Sequence, residues 1–222
     1  MQRYDIINWL IEKYGYKSYL EIGVAEGECF EKVECDAKIG CDVETSYEKY
    51  EVPLLSSDDF FESLPDGLSP RALKPPYDII FIDGEHLEDQ AMRDINNSLK
   101  HLSDNGTIVV HDCNPPMANC AGREPRVFVR YGDIPEYSIW NGTTWKAWVR
   151  TRLFNKDLTC RCVDADWGCG IIQRGPWLPF EGQIYSEDAT RQHLSYPLMA
   201  LDRANYLNLI TVKQFREIYS GG

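Results

Sequence analysis

Ten consecutive residues, Ser18–Gly27, limit what this chain can fold into more than any other stretch: Ser-Tyr-Leu-Glu-Ile-Gly-Val-Ala-Glu-Gly. The apolar run from Tyr19 to Ile22 predicts a short buried strand that ends in a glycine turn. Glu21, Gly23 and Gly27 fall in the spacing acid-x-Gly-x-x-x-Gly. A glycine at such a turn lets the backbone reverse with no Cβ in the way. A second lets a ligand or the next helix come close. Glu21 stands where a carboxylate meets either a cationic ligand group or the amides of the turn. Ten residues alone also fit an ordinary strand–turn–helix corner, because an isolated glycine pattern has low specificity.

The runs that follow narrow the choice. A second strand is expected from Ala37 to Asp42, a third from Val52 to Ser56, a fourth from Tyr77 to Ile82 and a fifth from Thr107 to Val110. Each finishes in polar or glycine chemistry: Asp42, then Ser57-Asp58-Asp59, then Asp83-Gly84, then His111-Asp112. That repetition describes the carboxyl edge of a parallel sheet, where open α/β sheets bind ligands. Asp42 also stands about 20 residues beyond the start of the first motif, the spacing at which nucleotide folds carry a ribose-binding acid. The fold class expected is therefore α/β, Rossmann-like and doubly wound.

Composition sets the outer limits. The chain has 222 residues, 43% of them hydrophobic, which suits a single domain with a sizeable core. Its formal charge of −12 argues against a general nucleic-acid surface and against anionic membranes. A neutral or cationic small-molecule partner fits better, and homo-oligomerisation is left open. No apolar run approaches the roughly 18 residues of a membrane span. The Met-Gln-Arg-Tyr-Asp start lacks the apolar core of a signal peptide, so a cytoplasmic location is expected. Eight cysteines are present. Cys160, Cys162 and Cys169 lack a Cys-x-x-Cys pair and a nearby histidine, so reduced thiols are expected rather than zinc.

Taken in order, Asp5 to Tyr14 reads as an amphipathic helix with Gly15 as its C-cap. A short helix is expected from Glu28 to about Glu34. The polar segment from Glu44 to Glu51 leaves room for about one helical turn. A helix from Asp58 to Leu64 would take Asp58 or Ser57 as its cap. The stretch from Pro65 to Pro76 reads as a surface connection. Leu87 to Leu102 carries the clearest helical stripe, Leu87, Ala91, Ile95, Leu99 and Leu102. With the strands on either side it forms a right-handed crossover unit. The irregular segment from Cys113 to Pro135 reads as a lid over an acceptor site, since long loops in compact domains carry function. Thr144 to Leu153 and Gly170 to Arg174 read as the last two strands, an antiparallel pair at the sheet edge. The stretch from Gly175 to Pro197 is rich in turns, and Leu198 to Tyr219 is partly helical.

With Phe81-Ile82-Asp83-Gly84-Glu85-His86 and Val109-Val110-His111-Asp112 in view, the chain resembles class I S-adenosylmethionine-dependent methyltransferases. The resemblance is closest to small-molecule O-methyltransferases that carry Phe-Ile-Asp-Gly-x-His and His-Asp signatures. It runs from about Tyr19 to Asp112, and more loosely through Trp140–Lys146 and Gly168–Ile172. It implies a seven-stranded, mostly parallel sheet with an antiparallel edge strand. It also implies a single methyltransferase domain over 1–222, with a cofactor-binding half (1–112) followed by the acceptor-site loop, edge strands and tail (113–222). The leading helix would pack beside the cofactor edge or simply cover the sheet.

The resemblance implies site residues as well. Glu21, Gly23 and Gly27 form the close-approach turn for S-adenosylmethionine, and Asp42 takes the ribose hydroxyls. Ser57 and Asp58 face the adenine edge, with an N-cap as the alternative role for Asp58. Asp83 also lies on the cofactor side. His86, three residues after Asp83, occupies the place of the catalytic base of metal-dependent catechol-type relatives, there a lysine; His111 is a second candidate base. In those relatives acids at the positions of Asp83 and Asp112 hold Mg2+ or a similar hard ion, which lowers the pKa of the acceptor hydroxyl. This chain departs from them. Cys113 stands where they have asparagine, Asn114 comes one residue late, and a thiol is a poor Mg2+ ligand. Two arrangements therefore stay open: a metal site at Asp83 and Asp112, and a metal-free site in which His86 and His111 handle protons while Asp112 orients one of them. Trp140, Trp145 and Trp148 either stack on an acceptor or pack the sheet edge, and Lys146 reads as a solvated residue.

The reaction implied is methyl transfer to oxygen on a small polar metabolite or sugar. A noncatalytic scaffold that keeps the cofactor pocket is the first rival, and intact acids at Glu21, Asp42 and Asp58 argue against it. A nicotinamide oxidoreductase is the second, and the absence of Gly-x-Gly-x-x-Gly argues against that.

Overall fold

The computed structural model describes residues 1–47, 49, 52–64, 73–125, 128–129, 137–138 and 140–220. Helix α1 (Arg3–Tyr14) is followed by β1 (Ser18–Ile22), α2 (Glu28–Lys32), β2 (Ala37–Cys41) and α3 (Ser57–Ser63). Then come β3 (Tyr77–Ile82), α4 (Glu88–His101), β4 (Leu102–Val110), and the two-residue strands β5 (Phe128–Val129) and β6 (Tyr137–Ser138). The chain continues through α5 (Thr144–Phe154), β7 (Leu158–Val163), β8 (Cys169–Arg174), α6 (Glu187–His193), α7 (Tyr196–Leu201), α8 (Arg203–Leu207), β9 (Leu209–Ile210) and α9 (Val212–Tyr219).

Seven strands form one sheet in the order β2-β1-β3-β4-β8-β7-β9. Strands β2, β1, β3 and β4 are parallel, and β7 is parallel to β9. Only β8 runs against its neighbours, pairing antiparallel with both β4 and β7. The mostly parallel seven-stranded sheet agrees with the sequence reading. The antiparallel strand, however, lies fifth in the order rather than at the edge, which the short β9 occupies. Strands β5 and β6 make a separate antiparallel pair.

Alternation along each strand feeds two cores. Leu20, Ile22, Ile80, Ile82, Ile108 and Val110 pack with Phe60, Ala91, Ile95, Trp145 and Trp148 on one face. Tyr19, Ile79, Phe81 and Val109 pack with Ile6, Ile7, Leu10 and Phe215 on the other. Both faces are thus covered by helices, as near-continuous apolar strands require. Each large apolar side chain so buried contributes about 1.5–3 kcal/mol relative to exposure. Helix α1 ends where expected, with Gly15 in the left-handed conformation at φ 67°.

Several expectations are overturned. Thr144 to Leu153 is not a strand but most of α5. Thr144, Trp145, Ala147, Trp148, Val149, Thr151, Arg152 and Leu153 are all buried, so no clean stripe marks a helical period. Its β-branched and aromatic residues imitate a strand, and the strand that does pair with β8 is β7, further along. Val52 to Ser56 forms no strand. It makes one parallel bridge, Asp42 to Leu54, because Pro53 has no N–H for a ladder and accepts from the amides of Asp42 and Leu55 instead. The cap of α3 is Ser56, not Ser57 or Asp58; its hydroxyl accepts from the Asp59 amide at 3.1 Å. No helical turn occurs among the described residues of 44–51. Most of the connection at 65–76, and residues 126–127 and 130–135 of the expected lid, lie outside the described residues. The described start of that lid carries a single 3-10 turn, Ala118–Cys120. Among the described residues no helix is long and apolar enough to cross a membrane.

Candidate functional site

The carboxyl ends of β1, β2 and β3, with α3 and α4, enclose a cavity of about 530 Å3. Gly23, Asp42, Glu44, Ser57, Asp83 and His86 are in its wall, together with Gln90 and Asp94. Gly23 must be glycine: its φ is +88°, and a Cβ there would collide with the backbone carbonyl of Asp83. Gly27 begins α2 and packs under the Tyr47 ring. Asp42 lies at the cavity wall, where Oδ2 accepts from the Ala25 amide (2.8 Å) and Oδ1 from the Glu44 amide (3.1 Å). The turn after β1 is thereby tied to the end of β2.

Three of the expected cofactor residues lie outside the wall: Gly27, packed under Tyr47, and two that face elsewhere. Glu21 is 1% exposed and points to the α1 side of the sheet, where Tyr19 donates its hydroxyl to Glu21 Oε2. Burial pushes the Glu21 carboxyl up to about 8, only partly offset by the Tyr19 hydrogen bond. Asp58 is absent from the cavity wall. Its Oδ2 pairs with Arg93 Nε at 3.1 Å on the surface. Its neighbour Ser57 does reach the cavity, donating to Asp94 Oδ1 at 2.6 Å.

At the ends of β3 and β4 a compact charge cluster forms. His86 Nε2 lies 3.3 Å from Asp83 Oδ1, and His86 Nδ1 lies 3.2 Å from Asp112 Oδ2. His111 Nδ1 lies 3.1 Å from Asp83 Oδ1 and 3.4 Å from Asp112 Oδ2. The carboxylates of adjacent strands converge as expected, with an imidazole on each side. Asp112 sits at φ +59°, a conformation that costs a non-glycine residue on the order of 1–3 kcal/mol and that turns its side chain back toward His86. Asn141 donates its amide to Asp112 Oδ1.

Charge balance sets the proton affinities. Burial alone would depress the His86 pKa, but the Asp83 hydrogen bond and the Asp112 charge outweigh it and raise it to about 8. His111 is likewise desolvated, yet Asp83, Asp112 and Asp166 hold its pKa well above the usual value. Burial would raise the Asp83 pKa, but the two imidazoles push it far below the ordinary carboxylate range.

Sequence reasoning missed Arg3, Asp166 and Asp94, and it weighed Trp140 only for stacking on an acceptor or packing the sheet edge. Arg3, at the start of α1, brings Nη1 within 3.1 Å of His111 Nε2 and 3.4 Å of Asp166 Oδ2. Asp166 lies on the β7–β8 turn, which is fastened to the chain after β4: Cys113 N donates to Gly168 O (3.0 Å) and Asn114 N to Trp167 O (2.8 Å). No local pattern announces either residue, since they meet across 163 positions. The segment 140–143 acts on His86 instead. Trp140 stacks on His86 with ring centroids 5.4 Å apart, and its carbonyl lies 3.2 Å from His86 Nδ1. Thr143 N donates to His86 O at 2.7 Å, and Gly142, at φ +61°, has no room for a Cβ beside that carbonyl. Trp145 and Trp148, by contrast, are buried in the core, and Lys146 is half-buried on α5. The third missed residue is Asp94, 1% exposed on α4; burial raises its pKa against the hydrogen bonds from Ser57 and Gln90.

Asp83, His86 and Asp112 present ligand atoms within 4.8 Å of one another, a donor set of two carboxylates and one imidazole that suits a divalent cation. His111, Asp166 and Cys169 come equally close. There the Arg3 guanidinium already supplies the positive charge, and burial pushes the Cys169 thiol up to about 12. All eight cysteines are free thiols.

Comparison with known proteins gives one family model, matched over about a third of the chain, and a set of similar folds. Residues 38–113 match a family model described as a methyltransferase domain. The fold is similar to the O-methyltransferase TomG from Streptomyces achromogenes, solved with SAM: TM-score 0.55, 15% identity, 78% of this chain and 79% of that one. It is similar to SAH-bound methyltransferase PaMTH1 from Podospora anserina, at TM-score 0.50 and 15% identity over 78% and 77% of the two chains. The O-methyltransferase from Bacillus cereus, in complex with SAH, gives TM-score 0.50 and 13% identity over 77% and 78%. At such identities the likeness is one of fold. No curated protein sequence matches the chain.

Proposed function

We infer that the chain is an S-adenosylmethionine-dependent methyltransferase that methylates oxygen on a small polar acceptor. One observation carries the reading. A single cavity at the parallel strand ends holds a glycine turn and a ribose-type acid, and it opens onto an acid–imidazole cluster. The match of residues 38–113 to a methyltransferase domain supports it independently.

The nucleoside lies over Gly23, with its ribose hydroxyls at Asp42, and its sulfonium toward Asp83 and His86. Methyl transfer is an in-line displacement. The acceptor oxygen bonds to the methyl carbon, the S–CH3 bond breaks, and its electron pair stays on sulfur as the neutral thioether. The enzyme's share is alignment and removal of the acceptor proton. His86 is the base. Its Nδ1 faces the Trp140 carbonyl, which only accepts, so Nδ1 carries a hydrogen and Nε2 is the nitrogen that takes the proton. Asp112 holds the ring from the Nδ1 side, and Asp83 then faces the new Nε2–H. His111 stays between the two carboxylates and offsets their charge.

Mg2+ binds through one or two carboxylates and keeps several waters. Asp83 and Asp112 are the residues that would hold it, with His86 beside them. When bound, such an ion lowers the pKa of the acceptor hydroxyl. Isothermal titration with S-adenosylmethionine and S-adenosylhomocysteine tests the cofactor reading, and no binding at millimolar ligand overturns it.

A further inference from the structure

We propose that Asp94 reads the base of the nucleoside by accepting a hydrogen bond from its exocyclic amine, so that the site selects a 6-aminopurine over a 6-oxopurine. This rests on the cofactor reading above and adds to it the residue that chooses the base.

Asp94 projects from α4 into the cavity wall although it is 1% exposed. Its Oδ1 is occupied twice, by the Ser57 hydroxyl at 2.6 Å and by Gln90 Nε2 at 2.9 Å. Gln90 Nε2 also reaches Ser57 Oγ at 3.0 Å. The Gln90 amide cannot turn round without loss, because Arg93 donates to its Oε1, and Arg93 is itself held by Asp58. A relay of Asp58, Arg93, Gln90 and Ser57 therefore fixes one oxygen of Asp94. The other, Oδ2, has no hydrogen-bond partner among the described residues. It lies beside Gly84, whose missing side chain leaves space: a Cβ there would sit 3.9 Å from Oδ2. A buried carboxylate in a cavity wall, with one oxygen saturated and the other unpartnered beside a glycine of the same wall, is an acceptor awaiting a donor. Asp42 is in the wall of the same cavity, so the acid that suits ribose hydroxyls and the acid that suits a base amine share one chamber. Asp58 thus acts on the base indirectly, as a positioning residue.

The test is isothermal titration of the wild-type chain and Asp94→Asn with two ligands, S-adenosylhomocysteine and its deaminated 6-oxo analogue, S-inosylhomocysteine. A hydrogen bond to a charged acceptor is worth about tenfold in affinity or more. The wild type should therefore prefer the 6-amino ligand by about tenfold or more. In Asp94→Asn the oxygen keeps its bonds to Ser57 and Gln90, which turns the amide NH2 toward the base. That arrangement suits a 6-oxo group, so the preference should vanish or invert. Equal affinities in the wild type overturn the proposal without recourse to any variant, and so does an unchanged ratio in Asp94→Asn. Binding of neither ligand by the wild type removes the cofactor reading itself, and this proposal with it.

Discussion

His86 Nδ1 lies 3.2 Å from Asp112 Oδ2, which joins the end of β3 to the turned residue after β4. The contact gives the imidazole one fixed face, and the rest of the cluster is arranged around it. Replacing His86 by Gln should lower turnover by about 10²–10⁴-fold, the usual worth of a positioned base, while cofactor affinity stays within a few-fold. Radiolabelled methyl transfer to a panel of hydroxylated acceptors, read beside calorimetric binding, checks it. Unchanged turnover would remove His86 from the base role.

The same base predicts a pH profile. With its pKa raised to about 8, His86 is protonated and unable to accept a proton at lower pH. The value of kcat/KM should rise about tenfold per pH unit and level off near pH 8. Asp112→Asn removes a negative neighbour, so the rising limb should move to lower pH.

Glu21 predicts a stability profile of the opposite use. Its folded pKa, about 8, lies above the ordinary 4.5, so the folded state holds a proton that the unfolded state has released. The stabilisation is complete below about pH 4.5 and is lost as pH rises through 8. Glu21→Gln stays neutral throughout. Its melting temperature should exceed that of the wild type at pH 9, and the gap should shrink toward pH 6. A gap that does not vary with pH would mean that Glu21 does not titrate in this window.

Gly142→Ala adds a Cβ where the His86 carbonyl already stands, at φ +61°. The variant should lose about 1–3 kcal/mol in urea unfolding and lose turnover as well, because the clash displaces the base. Gly122→Ala, whose nearest neighbour would be 3.8 Å away, serves as the tolerant control.

How much of this could be read from the residues alone depended on range. Strands β1, β2, β3 and the second half of β4, Thr107–Val110, were legible as short runs stopped by a polar residue, a local signal; the first half of β4, Leu102–Gly106, was not, because its polar residues and glycine read as a turn. Helix α5 was not, because burial on every side erases its period; only Lys146, Arg150 and Phe154, spaced four apart and less buried, hint at it. Asp94 did leave a trace. An acid three residues after Ala91 and one before Ile95 sits on an apolar stripe, where it needs partners. Arg3 and Asp166 left none, since their meeting is a product of topology.

That topology has a geometric corollary. Because β8 descends between two ascending strands, residues 164–168 form the tip of a hairpin delivered to the reactive rim from the distal half of the sheet. The β7–β8 ladder stops at Val163 and resumes at Cys169, and within the tip Asp166, Trp167 and Gly168 all hold positive φ, with Gly168 pressed against Asn114. The hairpin thus reaches the rim as a spur whose shape is set by left-handed backbone and by the amides of Cys113 and Asn114 that moor it.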